Sequence, residues 1–223
     1  MRRLTRVLAP GVILAAGVIV LGVGAATTPA GADRANDQQI ADNAVLTSDD
    51  VPGFEPHTSG DAPLPNALKC RGLERARKHL DAAPNKEVEF RPPSEQQVVE
   101  NQVSVLSSTK RAKQIVRAYR SPTARDCLVT TFTDGIASQK AGIDVKVDVT
   151  PNALESGSDA VAYDLNVTVT EGGNAQQLFT TVAVVRVGRA VAAFGLGDES
   201  GTVPADVATG LIELVTQRLQ EAL

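Results

Sequence analysis

Residues 143 to 196 read IDVKVDVTPNALESGSDAVAYDLNVTVTEGGNAQQLFTTVAVVRVGRAVAAFGL, and the period of their apolar positions is two. Ile143, Val145, Val147 and Val149 alternate with Asp144, Lys146 and Asp148, the pattern of a strand with one wet face. Val161, Tyr163, Leu165, Val167 and Val169 then alternate with Ala162, Asp164, Asn166, Thr168 and Thr170. EGGN (171–174) is turn chemistry, and QQLFTTVAVVRV (176–187) is apolar on both sides around Val182 to Val185, so it is expected near the middle of a sheet. Gly188-Arg189 can turn this strand into AVAAFGL (190–196). Strands joined by such short turns pair antiparallel.

Working outward, QVVENQVSVLS (97–107) places Val99, Val103 and Val105 on one side of a further strand, with Asn101 as the misfit among them. Ser108 or Thr109 can cap a helix whose Ala112, Ile115, Val116 and Tyr119 form one stripe. Ser121-Pro122 starts a second helix that turns Ala124, Cys127, Leu128, Thr131 and Ile136 inward. A last helix, opened near Pro204, offers Val207, Leu211, Leu214, Val215 and Leu219 as its buried stripe. The expected order is β-α-α-β-β-β-β-α. It describes an α+β fold, a twisted antiparallel sheet of about five strands with helices packed on one face. Upstream, CRGLERARKHL suits a short amphipathic helix through Cys70, Leu73, Ala76 and Leu80, and LTSDDVPGFEPH reads as a capped turn or short helix stopping at Pro52. Residues 33–44 are expected to be flexible, and 45–223 to form a single domain.

The beginning of the chain has the order of a secretory leader: Arg2, Arg3 and Arg6, then an uncharged run to Ala32 with Ala30-Gly31-Ala32 as an A-x-A cleavage pattern. Residues 1–32 are therefore expected to be a signal peptide and the protein to be secreted, with no membrane span after cleavage. The alternative is an uncleaved anchor, since Pro10 to Ala26 nearly suffices to cross a bilayer. Loss of three arginines moves the formal charge from −4 to about −7, which argues against nucleic acid as a partner. No tryptophan and seven Phe plus Tyr leave a core of Val, Leu, Ile and Ala, and weaken a carbohydrate-binding reading that needs aromatic platforms.

A leader, LTSDDVPGF near the mature start, a strand, the phrase VRAYRSPTARDC and a meander ending in a helix together resemble the extracytoplasmic sensor-like domains of actinobacteria. These are related to the external domain of the mycobacterial kinase PknH and to small secreted or lipid-anchored proteins. The resemblance implies an α+β domain with disulfide stapling and a possible ligand cleft, generally without catalysis. This chain departs from it in having no kinase domain and one possible bridge, so a signalling role does not transfer.

Chemistry-bearing patterns are few. Cys127 as a nucleophile would need a His base, and only His57 and His79 exist. Positions 57, 70, 79 and 127 do not form the ligand pairs of a zinc site. Two cysteines in an exported chain pair by default, so Cys70 and Cys127 are expected to be bridged. There is no G-x-S-x-G, and GLGDESG (195–201) lacks both the P-loop lysine and the dinucleotide-binding spacing. Catalytic residues, metal ligands and cofactors are accordingly assigned to none. Two surfaces remain. Asp144, Lys146, Asp148, Asp164, Asn166 and Thr168 share a sheet face that is either simply solvated or faces a ligand, and Lys110, Arg111, Lys113, Arg117 and Arg120 form either a solvated face or an anionic docking patch. The expectation is a non-enzymatic binding or sensor-like domain at the cell envelope, its partner an unknown small ligand or envelope component. The alternatives are a hydrolase with dispersed residues, marked by a deep pocket holding His57 or His79 beside an acid or hydroxyl, and a structural envelope protein with a shallow, evenly polar surface.

Overall fold

The computed structural model describes residues 31–57, 70–94, 96–138, 142–152, 159–201 and 203–223; the expected leader, apart from Gly31 and Ala32, lies outside them. The elements are α1 (Gly31–Ala44), β1 (Glu55–His57), α2 (Arg71–Asp81), β2 (Asn85–Arg91), β3 (Gln97–Val105), α3 (Thr109–Tyr119), α4 (Pro122–Ala137), β4 (Ile143–Pro151), β5 (Ala160–Glu171), β6 (Asn174–Val187), β7 (Ala190–Asp198) and α5 (Ala205–Ala222). One antiparallel sheet runs β1-β2-β3-β7-β6-β5-β4. It has seven strands rather than about five. The two additional strands are β1, which is only three residues long, and β2, where charges at 86, 87, 89 and 91 obscure the alternation of Val88 and Phe90.

The β5–β6 turn is made by Gly172 and Gly173, both at positive φ (56° and 86°). Two such residues in a two-residue loop match the right-handed twist of the strands they join, and a side chain at either would strain the turn. The register that follows pairs Leu165 with Thr180 and Tyr163 with Val182, and carries Val182 to Gly195 on β7.

Helices cover both faces of the sheet, not one. On one side Ala160, Ala162, Ala183, Val185, Ala192 and Phe194 pack with α1 and α5. On the other, Val161, Tyr163, Val182, Val184 and Ala193 pack with α2, α3 and α4. The physical reason is the double-sided apolar character of β6 and β7, since every residue of β7 is buried and an uncovered face would leave that surface in water. The expected flexible stretch 33–44 is instead α1, which buries Ile40, Ala41 and Ala44. In α5 the buried residues are Ala208, Leu211, Val215 and Leu219, whereas Val207 points to solvent.

Polar ties fix the N-terminal segment. Asn101, the misfit of β3, is wholly buried, accepts a hydrogen bond from the Leu46 amide (3.1 Å) and donates to the Ala193 carbonyl (3.1 Å). In LTSDDVPGF, the Thr47 amide and hydroxyl donate to Asp50 (2.7 and 2.9 Å), and Arg218 of α5 grips the same carboxylate with both terminal nitrogens (2.9 and 2.8 Å). Burial pushes the Asp50 carboxyl up, but the hydrogen bonds from Arg218 and Thr47 outweigh it and hold its pKa below the ordinary value.

The single bridge joins Cys70, at the start of α2, to Cys127 in α4, 57 residues apart. Closing a loop of that length stabilises by about 4 kcal/mol in the chain-entropy picture, so Cys70→Ala/Cys127→Ala is expected to melt about 8–16 °C lower in a calorimeter. An unchanged melting temperature would show that the bridge does not hold α2. For Asp50 the sign is that of a depressed carboxyl: its stabilisation is present above the unfolded value of 3.8 and is lost as pH falls through the lower folded value. Asp50→Asn should therefore melt below wild type at pH 6, and the gap should narrow as pH drops below about 3.8; a gap independent of pH would contradict the assignment.

Candidate functional site

Where β3 runs out into α3, the chain leaves a cleft of about 570 Å³. Its apolar floor is Val105, Leu106, Ala82, Ala83 and Pro84, and its rim carries Asp33, Arg34, Asn36 and Asp37 of α1, His79 of α2, Ser107, Arg111 of α3 and Arg189 from the β6–β7 turn. The walls are held by backbone: the Val105 amide donates to the Pro84 carbonyl (2.9 Å) and the Leu106 amide to the Arg189 carbonyl (3.0 Å). Gln38 ties α1 to the start of β2 through the Asn85 carbonyl (2.8 Å).

Arg189 closes one wall. Its guanidinium donates to both carboxylate oxygens of Asp37, one at 2.7 Å, and to the Leu106 carbonyl at 3.2 Å. The hydrogen bonds that Arg189 donates to Asp37 raise its pKa beyond an already high value, against the opposing effect of burial, so this arginine is a permanent cation. Arg34 and Arg111 are exposed and make no ion pair among the described residues. His79 is half-buried in the same wall. An apolar floor under a polar rim is the usual composition of a small-ligand site, and here the rim is largely charged.

The expected surfaces fall in different places. Lys110, Arg111, Lys113 and Arg117 are all exposed on α3, and Arg111 alone of them reaches the cleft. Arg120 does not belong to that face, because it donates to the Ala160 carbonyl at the start of β5. Asp144, Lys146, Asp148, Asp164, Asn166 and Thr168 do share one side of β4 and β5, with Lys146 opposite Thr168 and Asp148 opposite Asn166. It is the α1/α5 side of the sheet, beyond the strands those helices cover. Several of its groups are already engaged: Lys146 pairs with Asp148 (2.7 Å), and Asp164 accepts from Asn152 (2.7 Å) and Thr181 (2.8 Å). His57 is exposed on the edge strand β1. Among the described residues no three His, Cys, Asp or Glu gather as a metal cage, and no helix is long and apolar enough to cross a membrane.

A buried polar strip was not expected. On the α2–α4 side of β3, Glu100, Gln102 and Ser104 are 3 %, 2 % and 0 % exposed, and Glu89 of β2, opposite Glu100, is 7 % exposed and paired with Arg91. Both amide atoms of Gln102, the Ser104 hydroxyl and the Thr180 hydroxyl have no hydrogen-bond partner. Alternation on β3 places these residues together, but polar residues at period two ordinarily signal a wet face.

No family model matches the chain, and no curated protein matches it either. Among solved structures it is similar to the extracellular domain of PknH from Mycobacterium tuberculosis, at 12 % identity and a TM-score of 0.50, over 82 % of this chain and 96 % of that one. At that identity the likeness is one of fold. LpqN of Mycobacterium tuberculosis, involved in cell envelope biogenesis, aligns over 82 % of this chain and 92 % of its own at 15 % identity, with a TM-score of 0.27, at which no common fold is implied.

An unpaired buried amide costs about 1–3 kcal/mol. Gln102→Met keeps the length of the side chain and removes both orphaned atoms, so it should raise the melting temperature by about 2–12 °C. A drop in thermal unfolding would mean that the amide does stabilising work in the folded protein.

Proposed function

We propose that the protein is an exported, non-catalytic binding domain of the cell envelope that takes a small ligand in the cleft between α1, α2 and the start of α3. The observation that carries this is the state of Asp37, the less exposed of the two acids that line the cleft. The cleft does hold a histidine, a hydroxyl (Ser107) and acids, the set a hydrolytic relay would need. Yet Asp37 has both oxygens on the Arg189 guanidinium, which leaves it to brace the wall rather than orient an imidazole. Binding needs only the shape and the rim.

Export is supported by the leader pattern of residues 1–32 and by the disulfide, which persists in oxidising compartments. The fold shared with an extracellular domain is compatible with this placement. The exposed basic side chains Lys110, Lys113 and Arg117 continue the cationic rim outward from Arg111 along α3, and would draw an acidic envelope component toward the mouth of the cleft.

Ala83→Trp fills the cleft floor and supplies the sole tryptophan of the chain. A small-molecule extract of bacterial envelope should raise the melting temperature of wild type by about 5–11 °C at saturating ligand, and should leave Ala83→Trp unmoved. Ser107→Trp, from the exposed rim, repeats the test if the floor variant does not fold. An equal gain in wild type and a folded cleft-filled variant would place binding elsewhere, and chemical turnover of an extract component would defeat the non-catalytic reading.

A further inference from the structure

Three arginines from three separate elements line this cleft: Arg34 on α1, Arg111 on α3 and Arg189 in the β6–β7 turn. They stand in a chain whose overall charge is −4. Two aspartates share the site, but Asp37 is spent on Arg189 and Asp33 alone stands against Arg34 and Arg111. Arg111 reaches the rim from the first turn of α3. There the Ser108 hydroxyl accepts the Arg111 amide (3.4 Å) and fixes the turn that carries this arginine.

The guanidinium forks and the neighbouring Ser107 hydroxyl are all donors, and they come from several directions. Such a set suits an oxyanion with several acceptor oxygens far better than a cation or a neutral apolar group. We propose that the cleft binds a phosphate group carried on a small ligand, held by Arg34 and Arg111 with the Ser107 hydroxyl, while the Asp37–Arg189 pair acts as a fixed wall. This rests on the binding reading of the cleft and names the chemistry of its ligand. Phosphate could reach it on a soluble ester or on a lipid headgroup.

The test titrates the leaderless protein with inorganic phosphate and with pyrophosphate, following backbone amide shifts by NMR. Saturable shifts at Ser107 to Arg111, weakened at least about tenfold in Arg34→Glu/Arg111→Glu and unchanged in Arg75→Glu on the exposed flank of α2, would support the site. Arg111→Gln alone, with a milder loss, covers the case in which the double reversal unfolds. Vesicle arms then separate the sources. Co-sedimentation with phosphatidylglycerol vesicles, but not with phosphatidylcholine, that is lost in the same double variant assigns a lipid headgroup. Binding of soluble phosphates without sedimentation assigns a free ester. Shifts that do not saturate, or that survive the double reversal, overturn the proposal. An extract-induced stabilisation that is blocked by Ala83→Trp but indifferent to Arg34→Glu/Arg111→Glu would overturn the phosphate assignment and leave the binding cleft standing; loss of both effects would remove the two together.

Discussion

Strands β6 and β7 are apolar on both sides, and covering both sides is the constraint from which the other features follow. Val184 and Ala193 face the α2–α4 layer, while Ala183, Val185 and Phe194 face α1 and α5. Each buried aliphatic side chain contributes about 1.5–3 kcal/mol, so leaving either face open would forfeit more than the usual net stability of a domain. The second cover comes from α1 and α5, since α2, α3 and α4 already occupy the first. Hence α1 is part of the fold although its sequence, GADRANDQQIADNA, has little apolar surface. What it lacks in hydrophobic contact is offset by directed polar ties to the sheet and turns, Asp37 with Arg189 and Gln38 with the Asn85 carbonyl, while the segment just after it is held by the Leu46 amide on Asn101.

Two neighbouring residues of β3 show how position decides the energetic sign of a buried amide. Asn101 and Gln102 are both nearly inaccessible and point to opposite faces. Asn101 meets an amide that would otherwise be orphaned at Leu46 and a carbonyl on β7, so its burial satisfies groups on three segments at once. Gln102 meets none. The first is a specificity device that fixes where the N-terminal segment crosses the sheet. The second is a liability in the folded state, set opposite Ala193 on β7, whose side chain offers it no polar group.

The strands from 143 to 196 and the helices over 109–119 and 122–137 were legible because burial there obeys one period at a time. Cys127 was legible as a staple from the same inward stripe and from the pairing rule for two exported cysteines. The second helical layer was partly visible, since VAVV already demands cover on both sides, but nothing in 33–44 marks it as the cover. Charge hid β2 for a related reason: Glu89 is buried beside Arg91, and a pair of opposite charges two residues apart looks solvated in one dimension. The cleft was least legible. Asp37 and Arg189 lie 152 residues apart, and no local pattern distinguishes an arginine in a hairpin turn that reaches a helix from one that reaches water. Arg120 gives the converse error, a member of a basic run that turns inward to a carbonyl.

The position of the cleft follows from the double cover. α1 belongs to the layer on one face, α2 and α3 to the layer on the other, and they meet only past the end of the sheet, where β3 gives way to α3. At such a junction side faces of helices are already committed to the two cores, so the cavity is bounded by helix ends and turns. Ends carry unpaired backbone groups and the charged residues that complement them, which is why this cleft has a donor-rich rim over an apolar floor. A ligand held between Arg34 and Arg111 would bridge the two layers directly. In this region the Asp37–Arg189 pair already ties α1 to the β6–β7 turn, and ligand binding would add a second tie, from α1 to α3, tightening the N-terminal helix that has little apolar surface to hold it in place.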